Sequence, residues 1–97
     1  MIIVNLQLKA KPETLAEFMD WFAGILPDTR NYEGCSEVNF CVNHTGEDDI
    51  EVISKWDSKE SYDAYLQWRE DSGLLAELPE WLASEPVFRF LEVQEVY

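Results

Sequence analysis

At Asp57 the hydrophobic period of this chain changes within a single residue. Before it, Ile50–Trp56 reads as a β-strand: Val52 and Ile53 are β-branched, and Ile50, Val52 and Trp56 alternate with Glu51 and Lys55. After it, Tyr62, Tyr65, Leu66 and Arg69 recur at helical spacing, with Asp57 placed to cap the helix and Glu60 three residues on to complete a capping box. A strand that runs straight into a helix makes a corner. Trp56 and Tyr65 are the aromatic side chains expected to wall a pocket there.

The same alternation of periods repeats along the chain. Met1–Ala10 predicts a strand with Ile2, Val4, Leu6 and Leu8 on one face and Ile3, Asn5, Gln7 and Lys9 on the other. Pro12 opens a helix at a position where its missing N–H costs nothing, and Leu15, Phe18, Met19, Phe22, Ile25 and Leu26 form its apolar stripe. Trp21 falls on the border of that stripe. Pro27 predicts a bend or restart, and Gly34 a left-handed stop. Cys35–Val42 predicts a second strand, with Val38, Phe40 and Val42 opposite Cys35, Glu37, Asn39 and Cys41. Asn43–Asp49 predicts a turn with positive φ at Gly46, and His44 reads as an exposed residue of that turn. Beyond the central helix, interrupted near Ser72–Gly73, a helical segment resumes through Leu74–Leu82 with a new turn at Pro79, and Val87–Val93 closes the chain as a strand.

The order β-α-β-β-α-β within 97 residues predicts one α+β domain over residues 1–97 with a ferredoxin-like fold. The right-handed crossover rule puts both helical regions on one face of a four-stranded antiparallel sheet. Each outer strand has apolar side chains pointing both ways, so the bare face is expected to be apolar and to be covered by a second copy, giving a homodimer through sheet faces.

Charge narrows the partners. Seven Lys+Arg against 20 Asp+Glu give a formal charge of -13, which repels phosphate backbones and anionic lipid heads and argues against nucleic-acid or membrane partners. The N-terminus opens on a strand pattern where a signal peptide would carry basic residues and an apolar run, so a cytoplasmic location is expected. Cys35 and Cys41, six residues apart in one extended strand, would stand about 20 Å apart. A disulfide needs Cα atoms within about 7 Å. One histidine and no Cys-x-x-Cys pair leave too few ligands for a metal site.

Three stretches, IIVNLQLKAKPETLAEF, LPDTRNYEGC and VISKWDSKESYDAYL, resemble the antibiotic biosynthesis monooxygenase family, which includes quinol monooxygenases. The resemblance implies a dimeric α+β barrel and a cofactor-independent monooxygenase acting on a small aromatic, phenolic or quinol-like ligand with O2. In that chemistry the substrate loses a proton and its electron-rich anion reacts with O2 directly. The resemblance places the pocket between the sheet and the helices, with Asn5 and Tyr65 as catalytic side chains and Trp56, Arg30, Phe22 and Arg69 as substrate-binding ones. No cofactor and no metal are implied.

One departure bears on mechanism. Family sequences often carry a histidine nine residues after the strand tryptophan, and here that position is Tyr65, a poor base near neutrality with an ordinary pKa of about 10. In the related haem-degrading enzymes a ligating histidine follows ten residues later, where this chain has Leu75, and no histidine follows His44. Two alternatives therefore stand beside the monooxygenase: a non-catalytic dimeric small-ligand-binding protein, and an isomerase or lyase on the same fold.

Overall fold

The computed structural model describes residues 1–97. Strand β1 (Ile2–Lys9) leads through a 3-10 turn at Pro12–Thr14 into helix α1 (Leu15–Asn31). Strands β2 (Cys35–Asn43) and β3 (Gly46–Trp56) form a hairpin, followed by α2 (Lys59–Asp71), the single turn α3 (Leu74–Glu77), a 3-10 turn at Leu78–Trp81 and strand β4 (Val87–Glu92). The four strands make one antiparallel sheet in the order β2-β3-β1-β4, with all helical segments on one face. This is the α+β ferredoxin-like arrangement.

Alternation along the two central strands decides what lies under the helices. Ile2 pairs with Trp56, Val4 with Ser54, Leu6 with Val52 and Leu8 with Ile50, and these pairs face α1 and α2. The core they build is in two parts. Leu8, Ala10, Phe18, Phe22, Ile50, Val52, Leu78 and Leu82 pack at one end, and Ile2, Val4, Cys35, Trp56, Tyr62 and Tyr65 at the other. Trp21 stacks on Trp81 with ring centroids 5.7 Å apart and closes the first part from outside.

Several local expectations are corrected by the structure. The cap of α2 is Ser58, whose Oγ accepts from the Ser61 N–H at 3.2 Å. Asp57 instead ties the corner to the start of β2, its N–H donating to the Gly34 carbonyl at 2.9 Å. Pro27 does not interrupt α1. The carbonyl it cannot serve, that of Ala23, lies on the exposed side of the helix, where solvent can satisfy it. Gly34 does take a positive φ, of 95°, but Gly46 does not. The hairpin turns instead on Asn43, whose Oδ1 accepts from the Thr45 N–H at 2.9 Å.

Strand β2 differs in a way that matters more. Its pairing with β3 shifts between Cys35 and Glu37, so a bulge at Ser36 reverses the alternation. Cys35 therefore points into the core with Val38 rather than outward with Glu37, Asn39 and Cys41. Burial pushes its thiol up from the ordinary value, as expected for an inert core cysteine.

The bare face is not apolar as expected. Ile3, Ile53, Cys41, Val87 and Leu91 are interleaved there with Glu37, Asn39, Asn5, Gln7, Glu51, Lys55 and Arg89. Lys55 pairs with Glu37 across the strands at 3.5 Å, and Asn5 Nδ2 donates to Glu51 Oε1 at 3.1 Å. The apolar residues of the edge strands are divided between the two faces, and polar ones fill the gaps.

Candidate functional site

Between the two parts of the core lies a cavity of about 50 Å3, bounded by β1 and β3 below, α1 and α2 at the sides and α3 at the mouth. Its wall is mostly apolar: the Ser54 hydroxyl from β3, engaged by the Trp56 Nε1–H, also lines it, and one place is more densely polar. Thr29 from α1 and Tyr65 and Arg69 from α2 meet there.

Helical spacing builds this cluster. Thr29 continues the stripe of Phe22, Ile25 and Leu26 by one more turn, and Arg69 follows Tyr65 by four residues, so both reach the seam between the helices. The Thr29 and Tyr65 hydroxyl oxygens are 2.7 Å apart. Arg69 Nε donates to the Tyr65 hydroxyl at 3.0 Å. Arg69 Nη2 donates to Thr29 Oγ1 at 3.1 Å and to the Ile25 carbonyl at 2.7 Å.

The charge at the centre of the cluster is the unusual feature. Arg69 is only 5% exposed, yet every ion pair in the chain is made by a lysine on the surface. Its guanidinium carbon lies 4.6 Å from the centroid of the Trp68 ring and 5.4 Å from that of Tyr65, which offsets part of the cost of burial. A buried cation normally has a carboxylate beside it, because leaving it unpaired costs several kcal/mol, roughly 3–5 when a partner is removed. This one faces an apolar cavity instead.

The wall holds no general base. Among its sixteen lining residues there is no carboxylate and no imidazole. Tyr62 also lines it, and burial pushes that phenol above its ordinary value, so Tyr62 stays neutral. Leu75, ten residues after Tyr65, is an apolar part of the mouth.

Of the side chains that the sequence singled out, Phe22, Tyr65 and Arg69 meet at the cavity wall. Asn5 does not: it shares the open face with Ile3, and its Oδ1 is buried without a partner. Trp56 is fully buried behind Tyr62 and Tyr65, with ring centroids 5.2 Å and 5.1 Å away, and its Nε1 donates to Ser54 Oγ at 2.8 Å. It supports the wall without reaching the cavity. Arg30 is exposed and donates from Nη1 to the Cys35 carbonyl at 3.0 Å, joining the end of α1 to β2. Thr29 was missed. Its i, i+3 and i, i+4 relation to Leu26 and Ile25 was the available signal, obscured by its polarity.

Solved structures share this architecture. A conserved protein from Methanosarcina mazei is 21% identical, with a TM-score of 0.83 over 92% of this chain and 88% of its own. An antibiotic biosynthesis monooxygenase superposes with a TM-score of 0.87 at 15% identity, covering 98% of this chain and 100% of its own. A protein from Deinococcus radiodurans, named as a candidate antibiotic biosynthesis monooxygenase, gives 0.88 at 18% identity over 100% and 96%. At these identities the likeness concerns the fold. No curated protein matches the chain. No helix is long and apolar enough to cross a membrane. The family model described as antibiotic biosynthesis monooxygenase matches residues 1–70, a span that includes Thr29, Tyr65 and Arg69, and the chain belongs to that family.

Proposed function

We propose that the protein is a cofactor-independent monooxygenase that oxidises a small phenolic or quinol-like ring with O2 in the cavity beside Tyr65. Family membership supports monooxygenase chemistry. The observation that carries the reading to this site is the Thr29–Tyr65–Arg69 cluster, which brings the only charged side chain to a largely apolar wall. Phe22, Leu66 and Phe88 offer the ring apolar contact. Arg69 and the hydroxyls hold its oxygen and stabilise negative charge as it passes towards O2. A dry wall keeps competing water away from the reactive anion.

A cavity of about 50 Å3 is closed to such a ring, since about 150 Å3 is needed to hold benzene. Admission requires Leu74 and Leu75 to move. They stand on a single helical turn behind Gly73, whose φ of 85° and open surroundings suit a hinge.

The homodimer belongs to the same reading. Members of this family are typically dimeric, and the open face offers half-buried Ile3 and Ile53 and exposed Val87 and Leu91. A second copy would bury these groups and leave one cavity per subunit. Light scattering should report twice the chain mass.

Oxygen uptake with a panel of hydroquinones, anthrones and acidic phenols tests the chemistry. Uptake with one oxygen atom added to the product supports the proposal. Tight binding without uptake identifies a ligand-binding protein, and conversion without uptake an isomerase or lyase.

A further inference from the structure

We infer that the cavity takes its ligand as an oxyanion that is already ionised in solution, so that its substrates are acidic phenols or enols rather than weakly acidic quinols. This rests on the reading that the cavity beside Tyr65 is where substrate binds. It adds the ionisation state of that substrate, and it explains how the site works without the histidine that Tyr65 replaces.

The hydrogen-bond inventory of the cluster is the first argument. Of the five N–H groups of the Arg69 guanidinium, three are used: Nε–H on Tyr65, and the two of Nη2 on Thr29 and Ile25. The two on Nη1 meet no protein acceptor. The Thr29–Tyr65 contact consumes one of the two hydroxyl hydrogens, whichever residue donates, and the other has no acceptor either. Against these three donor hydrogens the cluster keeps a single free acceptor, one hydroxyl lone pair on Tyr65 or Thr29, so its unused capacity is mainly that of a donor. A neutral phenol would add another donor hydrogen, whereas an oxyanion supplies only acceptor lone pairs.

Charge is the second argument. Arg69 is buried without a carboxylate, so a monoanion entering the cavity supplies the missing counter-ion and turns an unpaired buried charge into a pair. The third is the absence of any carboxylate or imidazole on the wall, which leaves nothing to take the proton after binding. The balance is therefore simple. The ligand gives its proton to solvent before entry, and the anion enters with its electron pair available.

The two forces on a bound phenol have opposite signs, and this makes the inference decidable. An apolar cavity alone raises the pKa of a bound phenol, while a fixed cation beside it lowers it. The experiment is an oxygen-free pH titration of a chromophoric phenol, whose anion absorbs at longer wavelength, bound to the intact protein. The bound pKa is expected to fall by at least about one unit, which means phenolate held about tenfold more tightly than phenol. Arg69→Gln should abolish the fall, and Arg69→Lys should keep part of it. The methyl ether of the same phenol should bind weakly. An unchanged or raised bound pKa, or no binding at all, overturns the inference, and the wild-type titration alone decides if Arg69→Gln does not fold. Oxygen plays no part, so loss of the monooxygenase reading would show separately, as anion binding that persists without oxygen uptake. Where turnover occurs, its pH profile should follow the pKa of each substrate in a series, not one pKa of the protein.

Discussion

Arg69 stands one helical turn after Tyr65 on α2 and donates from Nε to its hydroxyl at 3.0 Å, while Thr29 meets that hydroxyl from the opposite helix at 2.7 Å. Removing the hydroxyl with Tyr65→Phe leaves a buried N–H and a buried hydroxyl without their partner. Leaving buried polar groups unpaired costs about 1–3 kcal/mol. Urea denaturation should show a loss of that size with an unchanged slope, and turnover should fall because Arg69 loses the contact that orients it.

Trp56 contributes to the same wall by a different route. Its ring is 0% exposed, and its Nε1–H is held by Ser54. Trp56→Phe shrinks a packed side chain and leaves Ser54 without its donor, a change of about 1–3 kcal/mol in stability. Because the ring does not reach the cavity, ligand affinity of the folded variant should change little. A large loss of affinity at intact stability would show that Trp56 touches the ligand after all.

How far these roles were legible in the sequence follows from the kind of information each needed. Period and order carried the fold: the shift at Asp57 and the alternation of Ile2, Val4 and Leu8 placed the sheet and the helix face. The alternation of β1 also put Asn5 beside Ile3, on the face away from a cavity under the helices. Cys35 was misplaced because a bulge at Ser36 shifts the alternation by one, and nothing in the local composition marks it. The character of the open face is not legible strand by strand, because the pairing of Glu37 with Lys55 and Asn39 with Ile53 decides what each apolar residue sits beside. Arg69 and Tyr65 were visible as a helical pair. Their meeting with Thr29 was not, since it depends on how two helices cross.

Leu75 at the mouth tests the size of the cavity. It is half-buried, and Leu75→Ala removes wall from a cavity of about 50 Å3. The loss in stability should lie near the low end of the roughly 2–5 kcal/mol seen for buried leucines. Benzene should then raise the melting temperature of the variant but not of the wild type, because only a ligand that fits the folded state stabilises it.

Tyr62 gives a pH dependence whose sign can be worked out. Burial raises its folded pKa above the ordinary value of 10.0, with the nearby Tyr65 and Asp63 adding to the shift. A phenol kept neutral by folding contributes stability that is whole below pH 10.0 and is lost as pH rises beyond it, because only the unfolded chain then ionises freely. Stability measured by denaturant should therefore begin to fall near and above pH 10.0, and Tyr62→Phe should flatten that decline.

Salt separates the charge of the surface from the charge of the site. The chain carries a formal -13, which opposes the approach of any anion, while the cation of Arg69 sits in the wall of an apolar cavity. Added salt screens exposed charges over about 8 Å at physiological ionic strength but acts much less on a buried pair. Raising salt from low to physiological levels should therefore tighten the binding of a phenolate, the reverse of ordinary ion-pair binding at a surface, and leave its neutral methyl ether almost unaffected. Titrations at several salt concentrations and constant pH measure this. Phenolate affinity that falls with salt would place the anion at an exposed lysine such as Lys9 or Lys59 instead of at Arg69.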